Sequence, residues 1–293
     1  MSDRELAPAK VNLCLFLGGP RPDGRHELVT LFESVTLLDE LELEVRSSAG
    51  EDEVVCRGVE GPNLVATALR ELRARGWSAP PVRIGISKRI PVAAGMGGGS
   101  ADAAAALRLA SRLSPVGDDA LAEVAAGLGA DVPSQLQPGV ALGTGAGEVV
   151  SPRQPLADHA FLILPQPAML STADVYREAG RLELPREEAE LQTLHRRLDA
   201  ALSPGARLEA SLLHNDLEPA ALSLCPEIAD AMDAARQSGA DQAMVCGSGP
   251  TVIGVFWGDD ASARAGGATT ALGEQFPRAA AASPISSWPC GTI

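Results

Sequence analysis

A run of glycines followed by alanines is the segment of this chain best suited to hold an anion. It reads Pro91-Val92-Ala93-Ala94-Gly95-Met96-Gly97-Gly98-Gly99-Ser100-Ala101, and alanines recur up to position 106. Glycine adopts positive φ and lets a ligand approach the backbone closely. Free N–H groups at the positive end of a helix dipole bind phosphate. The segment therefore predicts a phosphate-binding loop leading into a helix; the alternative is a flexible loop capped by Ser100.

This loop differs from both common nucleotide-binding fingerprints. The P-loop needs a lysine after its last glycine, and Ser100 and Ala101 follow here instead. The dinucleotide fingerprint needs Gly-x-Gly-x-x-Gly after the first strand, and the spacing here is different. The loop alone therefore indicates phosphate without indicating which enzyme uses it.

Lys10 and Asn12 lie two residues apart at the start of an apolar segment that is typical of a strand. Side chains two apart in a strand share a face. An ammonium and an amide on one face could hold a phosphate or a hydroxyl. Lysine occurs only at Lys10 and Lys88, which makes each of them worth attention. The alternative for Lys10 is an edge-strand lysine that discourages aggregation.

Asp131 stands just after a predicted helix, in Gly129-Ala130-Asp131-Val132-Pro133. Because the residue before a proline avoids the helical region, we expect the helix to give way here to an extended segment. A carboxylate at such a place is either a cap or turn residue or a general base aimed at a site. An ammonium such as Lys10 beside it would keep it ionised.

Two glycine-containing turns are further candidates. The segment Gly247-Ser248-Gly249-Pro250 is typical of a hairpin connection, and it could also pack against the glycine loop and donate N–H groups. The segment Asp23-Gly24-Arg25-His26 predicts a tight turn followed by a histidine, which is either structural or part of a site.

Hydrophobic periodicity predicts the elements that position these residues. We expect strands over 11–16, 28–35, 41–45, 82–86, 160–164, 242–246 and 252–256, and a last strand near Ala280. We expect helices over 63–75, 100–113, 118–128, 172–181, 187–201, 227–238 and 260–272. Proline-rich connections after Ser151 place the boundary between two domains, 1–152 and 153–293.

Composition excludes several classes of protein. The formal charge of −14 argues against a nucleic-acid partner, which needs a basic face. No run of about 18 apolar residues predicts a membrane span, and the charged start of the chain lacks a secretory core. The five cysteines show no Cys-x-x-Cys spacing, so reduced thiols are expected rather than a metal site or disulfides. We therefore expect a cytoplasmic protein.

Taken together and in order, these motifs resemble the galactokinase, homoserine kinase, mevalonate kinase and phosphomevalonate kinase (GHMP) superfamily. The glycine loop and the Gly-Ser-Gly-Pro hairpin are common to the superfamily. The segments Lys-x-Asn-Leu at 10–13 and Asp-Gly-x-His-Glu-Leu at 23–28 are most similar to the 4-diphosphocytidyl-2-C-methyl-D-erythritol kinase family. The resemblance extends from position 8 to 251 and so covers most of the chain.

The resemblance implies an α+β fold of two domains with the active site in the cleft between them. The N-terminal domain would be ribosomal-S5-domain-2-like and the C-terminal domain ferredoxin-like. The implied reaction is ATP-dependent, Mg²⁺-requiring phosphorylation of the 2-hydroxyl of 4-diphosphocytidyl-2-C-methyl-D-erythritol, in non-mevalonate isoprenoid biosynthesis, by a monomer or homodimer. Two alternatives are another GHMP kinase of the homoserine or mevalonate type, and a nucleotide-binding homologue with impaired catalysis.

The resemblance also implies a division of roles. Asp131 would take the proton of the substrate hydroxyl, while Lys10 would keep Asp131 ionised and neutralise charge on the transferred phosphoryl group. The substrate would be bound by Asn12, Arg25, His26 and Tyr176. The residues implied for ATP are Asn63, Pro91, Ala94, Gly95, Met96, Gly97, Gly98, Gly99, Ser100 and Ala101, with Gly247, Ser248 and Gly249 as a supporting loop.

Several positions depart from the family pattern, among them Ala94, Ser134 and Gln137-Pro138, and the departure that matters most is at Arg25. Arg25 stands where the family usually has a tyrosine that stacks on cytosine. A guanidinium plane can also stack on a ring. Tyr176, the chain's one tyrosine, matches the place where the family puts an aromatic side chain on the other face of cytosine.

Overall fold

The described part of the chain forms two antiparallel-rich sheets, each covered by helices. The computed structural model describes residues 2–46 and 50–285; Cys290, expected to be a reduced thiol, lies outside them. The first sheet is built on a long hairpin of β1 (Ser2–Pro20) and β2 (His26–Val45). Its other strands are β3 (Glu53–Cys56), β4 (Val82–Ser87), β5 (Val140–Thr144) and β6 (Val149–Arg153), in the order β3-β4-β2-β5-β6 with β1 paired to β2.

Helices of the first domain cover this sheet on the side of the glycine loop. They are α1 (Leu64–Ala74), α2 (Gly98–Leu113), α3 (Asp118–Leu128) and α4 (Val132–Leu136). Alanines at 101 and 103–106 of α2 are fully buried, and the small side chains let α2 pack closely against the hairpin. The start of α2 is thereby fixed relative to β1.

The second sheet is all antiparallel and consists of β7 (His159–Leu164), β8 (Gln242–Val245), β9 (Val252–Trp257) and β10 (Ala280–Ala282), in the order β10-β7-β9-β8. With α8 (Ile228–Gln237) and α9 (Ala261–Leu272) they form a β-α-β-β-α-β domain. Between β7 and α8 the chain inserts α5 (Thr172–Arg181), α6 (Glu188–Ala201), a 3-10 turn (Ala210–Leu212) and α7 (Glu218–Leu224). The expected ferredoxin-like arrangement is confirmed.

The two domains are joined by backbone contacts as well as by packing. Leu15 of β1 donates its N–H to the carbonyl of His214 at 2.8 Å and accepts from the N–H of Asp216 at 2.9 Å. The first sheet's last strand ends at Arg153 and the second sheet begins at His159. The boundary at 152/153 stays a prediction.

Several expected elements differ from the observed ones. The strands predicted over 28–35 and 41–45 are one continuous strand, β2, because its backbone pairing with β1 continues through 38–40 after a bulge between Pro8 and Ala9 of β1. Helix α2 begins at Gly98 rather than Ser100, and its N-cap is Gly97 at φ 67°. Hydrophobic periodicity does not predict the short elements β3, β5, β6, α4 and α7, because their apolar residues show no clear repeat. Within residues 2–46 and 50–285, the helices are too short or too polar to cross a membrane.

The segment around Asp131 was predicted wrongly. Instead of becoming extended, the chain starts α4, with Asp131 as N-cap and Pro133 in the first turn. A proline is tolerated there because the first N–H groups of a helix have no intrahelical partner. The restriction on the residue before proline was outweighed by this helix-start preference.

Candidate active site

A cavity of about 560 Å³ lies where the β1–β2 hairpin, the glycine loop and elements of the second domain meet. The predicted site residues that line it are Lys10, Asn12, Asn63, Pro91, Ala94, Gly95, Met96, Gly97, Gly98, Gly99, Ser100, Asp131, Tyr176, Gly247 and Ser248. Those outside the lining are Arg25, His26, Ala101 and Gly249. Side chains predicted from segments more than 100 positions apart therefore converge on one hollow.

The glycine loop is pressed against the Gly247–Gly249 hairpin. Gly95 has φ 76°, and a Cβ there would lie 2.6 Å from the carbonyl oxygen of Cys246 and 2.8 Å from that of Gly249. Only glycine fits this approach. The hairpin is in turn anchored by Asn215, whose Nδ2 donates to the carbonyls of Val245 at 2.8 Å and Gly247 at 2.7 Å.

The start of α2 faces the cavity with its backbone. Ala101 donates its N–H to the carbonyl of Gly97 at 2.8 Å, which closes the first helical turn. The N–H groups of Gly98, Gly99 and Ser100 precede it and have no partner within the helix. These N–H groups, together with the helix dipole, make this end of the cavity attractive to phosphate.

Lys10 and Asp131 meet beside the loop. Their Nζ and Oδ2 atoms are 3.5 Å apart, and the exposed fractions of the side chains are 6% and 33%. Lys10 also donates from Nζ to Asn12 Oδ1 at 2.7 Å, and its backbone N–H donates to the carbonyl of Met96 at 3.0 Å. A Cβ on Gly97 would stand 3.0 Å from Lys10 Cγ, so glycine at this position lets the lysine stem pass.

A hydrogen-bond chain fixes the orientation of Asn12. Its Nδ2 donates to Thr30 Oγ1 at 2.7 Å, and Thr30 donates to the carbonyl of Cys14 at 2.7 Å. The oxygen of Asn12 is therefore the atom that points to Lys10. Asp131 occupies the N-cap position of α4 without a side-chain cap hydrogen bond. Its carboxylate instead faces the ammonium, where it can accept a proton from a hydroxyl.

Tyr176, which lines the cavity, forms an aromatic pair with His26, which lies outside the lining. The rings of His26 and Tyr176 have centroids 5.3 Å apart and are tilted by 44°. Burial lowers the pKa of His26, so its imidazole is neutral near pH 7. The pKa of the Tyr176 hydroxyl is raised, first by burial and then by the charge of Asp131. Neutral rings of this kind can stack on and hydrogen-bond to a heterocyclic base.

Comparisons with known proteins agree with this geometry. The GHMP kinases N terminal domain family matches residues 63–143, and the GHMP kinases C terminal family matches residues 192–275. The chain is 42% identical over 264 residues to the 4-diphosphocytidyl-2-C-methyl-D-erythritol kinase of Streptomyces coelicolor, covering 86% of each chain. The chain belongs to the 4-diphosphocytidyl-2-C-methyl-D-erythritol kinase family. It is thus an ATP-dependent small-molecule kinase of the GHMP type.

Further relatives of the family support the assignment. The kinase of Thermobifida fusca is 42% identical over 259 residues, with 83% of each chain covered. A crystal structure of a 4-(cytidine 5'-diphospho)-2C-methyl-D-erythritol kinase superposes with a TM-score of 0.75 at 31% identity and covers 97% of this chain and 100% of that one. A homoserine kinase from Cytophaga hutchinsonii, at 20% identity and a TM-score of 0.61, shares the fold. The two-domain α+β fold predicted from the sequence is confirmed.

Arg25, which departs from the family pattern, lies outside the lining of the cavity. Its Nη2 is 2.8 Å from Asp23 Oδ2, and its Nη1 is 3.6 Å from Glu148 Oε2. The pKa of Arg25 is raised, mainly by the hydrogen bond to Asp23. The guanidinium is therefore engaged by two carboxylates, and stacking on a base would require it to reorient. Its role in substrate binding stays a prediction.

Sequence reasoning missed some residues that line the cavity. Thr30 and Phe32 sit on β2 opposite β1, and the Lys10 ammonium lies 5.7 Å from the centre of the Phe32 ring. Lys88 also lines the cavity, as does Asp102, for which the sequence leaves open a metal role or an ordinary place in the first turn of a helix. The scarcity of lysine was a usable signal for Lys88. Nothing in the spacing of Thr30 or Phe32 distinguishes them from ordinary strand residues.

Proposed function

We propose that this chain transfers the γ-phosphoryl group of ATP to the 2-hydroxyl of 4-diphosphocytidyl-2-C-methyl-D-erythritol. The observation that carries the proposal is the Lys10–Asp131 pair, 3.5 Å apart, in the same cavity as the glycine loop. A base for a hydroxyl and a cradle for phosphates are the two parts that such a kinase needs. The substrate name comes from the relatives, and the aromatic pair of His26 and Tyr176 supports a pyrimidine ligand.

The chemistry is one in-line displacement. Asp131 takes the proton of the substrate hydroxyl as the oxygen bonds to the γ-phosphorus, and the bond from that phosphorus to the bridging oxygen of ADP breaks. Phosphoryl transfer requires mainly positioning and charge stabilisation from the protein. Lys10 fits both tasks, because Asn12 and Met96 hold it in place while its ammonium faces Asp131.

ATP would lie along the glycine loop with its phosphates at the start of α2. Asn63 is the N-cap of α1, and its Oδ1 accepts from the N–H of Val65 at 2.8 Å. Its amide nitrogen is left to face adenine. Within residues 2–46 and 50–285, no three His, Cys, Asp or Glu side chains cluster as metal ligands. Mg²⁺ would enter as the ATP complex, with phosphate and water oxygens as its main ligands.

The cytidine end of the substrate would be held by His26 and Tyr176, with Asn12 nearer the reacting hydroxyl. Homoserine and mevalonate carry no heterocyclic base on which an aromatic pair could stack, so the pair favours the cytidine substrate. We propose further that the enzyme acts in the cytoplasm, as a monomer or homodimer, without nucleic acid; its formal charge of −14 supports the last point.

An assay of ADP release across candidate acceptors tests the proposal. The purified protein is supplied with MgATP and either 4-diphosphocytidyl-2-C-methyl-D-erythritol, homoserine or mevalonate, and the product is identified by phosphorus NMR. We expect turnover with the cytidine substrate alone and a new monophosphate on its 2-oxygen. Tyr176→Ala should raise KM for that substrate and leave KM for ATP unchanged. Preferred turnover of homoserine or mevalonate would overturn the proposal.

A further inference from the structure

A buried charge cluster that the proposed reaction does not use lies beneath the glycine loop. It consists of Lys88, Asp39 and Asp102, called here the Lys88 cluster. The Lys88 ammonium donates to Asp39 Oδ2 and, at 2.8 Å, to Asp102 Oδ2. All three side chains are largely buried, and Lys88 and Asp102 line the cavity. Burying two carboxylates and an ammonium costs free energy unless each is paired, so such a cluster needs an explanation.

The cluster joins the two stems of the loop. Asp39 on β2 accepts the backbone N–H groups of Arg89 and Ile90, the latter at 2.8 Å, and so fixes the stem that enters the loop. Asp102 belongs to α2, the stem that leaves the loop. Lys88 bridges both carboxylates. The segment 91–97 is therefore closed at its base by one ammonium.

The stems are packed closely enough for this bridge to set their spacing. A Cβ on Gly98 would lie 3.0 Å from Ile90 Cγ2 and 3.2 Å from Lys88 Nζ. Gly98 also supplies one of the free N–H groups at the start of α2. A shift of Lys88 would therefore move the backbone donors that face the cavity.

The charge of the cluster depends on one carboxyl. Burial raises the pKa of Asp102 to about 7, and Asp39 adds to this effect, although Lys88 opposes it. The pKa of Lys88 is raised, because the two carboxylates outweigh its burial. The Cys56 thiol on β3 also faces the cluster, and its pKa is raised by burial and then by Asp102. Asp102 Oδ1 is buried and has no hydrogen-bond partner among the described residues.

We propose that Lys88 is a positioning residue that holds the two stems of the glycine loop at the spacing ATP requires, and that Asp102 takes up a proton from solvent when the polyphosphate binds. The proposal rests on the ATP site of the proposed function. A bound polyphosphate adds negative charge next to a cluster that already carries an excess carboxylate, and a neighbouring like charge favours the protonated carboxyl. Protonated Asp102 can still accept the hydrogen bond of Lys88, so the bridge survives the proton uptake.

Calorimetric titration with the magnesium complex of adenylyl imidodiphosphate tests both parts without requiring an acceptor. Binding is measured at pH 7.5 in buffers of different ionisation enthalpy, which gives the number of protons taken up. We expect proton uptake by the wild type and none by Asp102→Asn. The double variant Lys88→Met/Asp102→Asn, which removes the bridge and leaves the net charge of the cluster unchanged, should bind about tenfold more weakly.

An ion pair of similar length elsewhere in the first domain serves as the control for the general effect of removing a charge pair. Arg73 and Asp52 are 2.8 Å apart at the end of α1 remote from Asn63, and Arg73→Met should leave ATP affinity and proton uptake unchanged. Circular dichroism establishes that each variant is folded before titration. Wild-type affinity in the double variant, or undiminished uptake in Asp102→Asn, would overturn the proposal. If ATP-analogue binding and proton uptake are as expected but the wild-type protein does not turn over the cytidine substrate, only the proposed function is contradicted.

Discussion

The β1–β2 hairpin contributes to two acid–base pairs of opposite character. In the cavity, Lys10 of β1 stands 3.5 Å from Asp131, which keeps a third of its side chain exposed. At the interface between the domains, Glu33 of β2 lies 2.7 Å from Nε2 of His159, and these side chains are 1% and 2% exposed. The Lys10–Asp131 pair is longer and partly exposed, and we call it the open pair. The Glu33–His159 pair is shorter and almost fully buried, and we call it the sealed pair.

The sealed pair is fixed by its surroundings. His159 Nδ1 lies 2.7 Å from the carbonyl of Ala157, and Nε2 faces the carboxylate of Glu33, so both ring nitrogens have acceptors. That pattern suits the imidazolium, in which both nitrogens donate. Burial lowers the pKa of His159, but the hydrogen bond and charge of Glu33 outweigh it, and the pKa is raised. The ring also packs 4.6 Å from the ring of Trp257.

The difference between the pairs separates stability from reactivity. A carboxylate with a free side toward a cavity can accept a proton from a ligand, whereas one sealed against an imidazolium cannot be reached. Replacing a member of the open pair should therefore affect turnover, and replacing a member of the sealed pair should affect folding. Each of the following changes tests one side of that contrast.

The largest effect is expected from Asp131→Asn. The amide keeps the shape of the carboxylate but cannot take the proton, so kcat should fall by about a thousandfold or more. Because Asp131 is partly exposed and caps no N–H group with its side chain, the melting temperature should stay within about 2 °C of wild type. Steady-state kinetics and calorimetric melting measure the two quantities. A tenfold loss or less would remove Asp131 from the role of base.

Glu33→Gln should have the opposite profile. It leaves a buried imidazolium without its counter-charge, which costs about 3 kcal/mol of the free energy of unfolding. Turnover of the folded fraction should be unchanged, since Glu33 lies outside the lining of the catalytic cavity. Urea denaturation with activity measured in parallel tests this. An unchanged unfolding midpoint would show that the interface pair is not what holds the domains together.

The sealed pair also predicts a pH dependence of stability. The folded-state pKa of His159 is raised above its ordinary value of 6.5. Its stabilising contribution is therefore complete below pH 6.5 and is lost as the pH rises through the folded-state value. The slope attributable to this group is at most about 1.4 kcal/mol per pH unit. Subtracting the profile of His159→Gln from that of wild type isolates it, and identical profiles would contradict the imidazolium assignment.

Arg25→Tyr should give the smallest effect. It removes a side chain that is paired with Asp23 and Glu148 and supplies an aromatic ring next to His26 in the chain. A ring stacked on cytosine is worth about 1 kcal/mol, so KM for the cytidine substrate should fall severalfold. kcat should be unchanged because Arg25 lies outside the lining of the cavity that holds Lys10 and Asp131. Arg25→Ala is the matched control, and equal KM values for the two variants would show that the position does not contact the base.

Sequence reasoning located the parts of the site that have short-range signals. The glycine loop, Lys10 and Asn12 on one strand face, and the hairpin at Gly247–Gly249 were predicted from local residue types, and the structure brings them into one cavity. Gly95 shows why the loop could be predicted from the sequence. Its positive φ and its contact with Cys246 require glycine, and a run of glycines is easily recognised in a sequence.

The remaining features depend on long-range packing that spacing does not encode. Asp131 was expected in an extended segment, and its place at the start of α4 depends on packing of a five-residue helix with no amphipathic period. Glu33 and His159 each look like an ordinary strand residue, and 126 positions separate them. The Lys88 cluster joins β2, the loop stem and α2, so no short stretch of sequence predicts it.

The unusual length of the β1–β2 hairpin has a consequence for how the enzyme assembles. The strands Ser2–Pro20 and His26–Val45 are adjacent in the chain, so Lys10, Asn12 and Thr30 meet without closing a long loop. Local contacts of this kind form early in folding, whereas distant ones wait for larger pieces to collapse. During synthesis the first 45 residues can therefore preassemble the ammonium side of the site, and the carboxylate of Asp131 arrives later as the chain elongates.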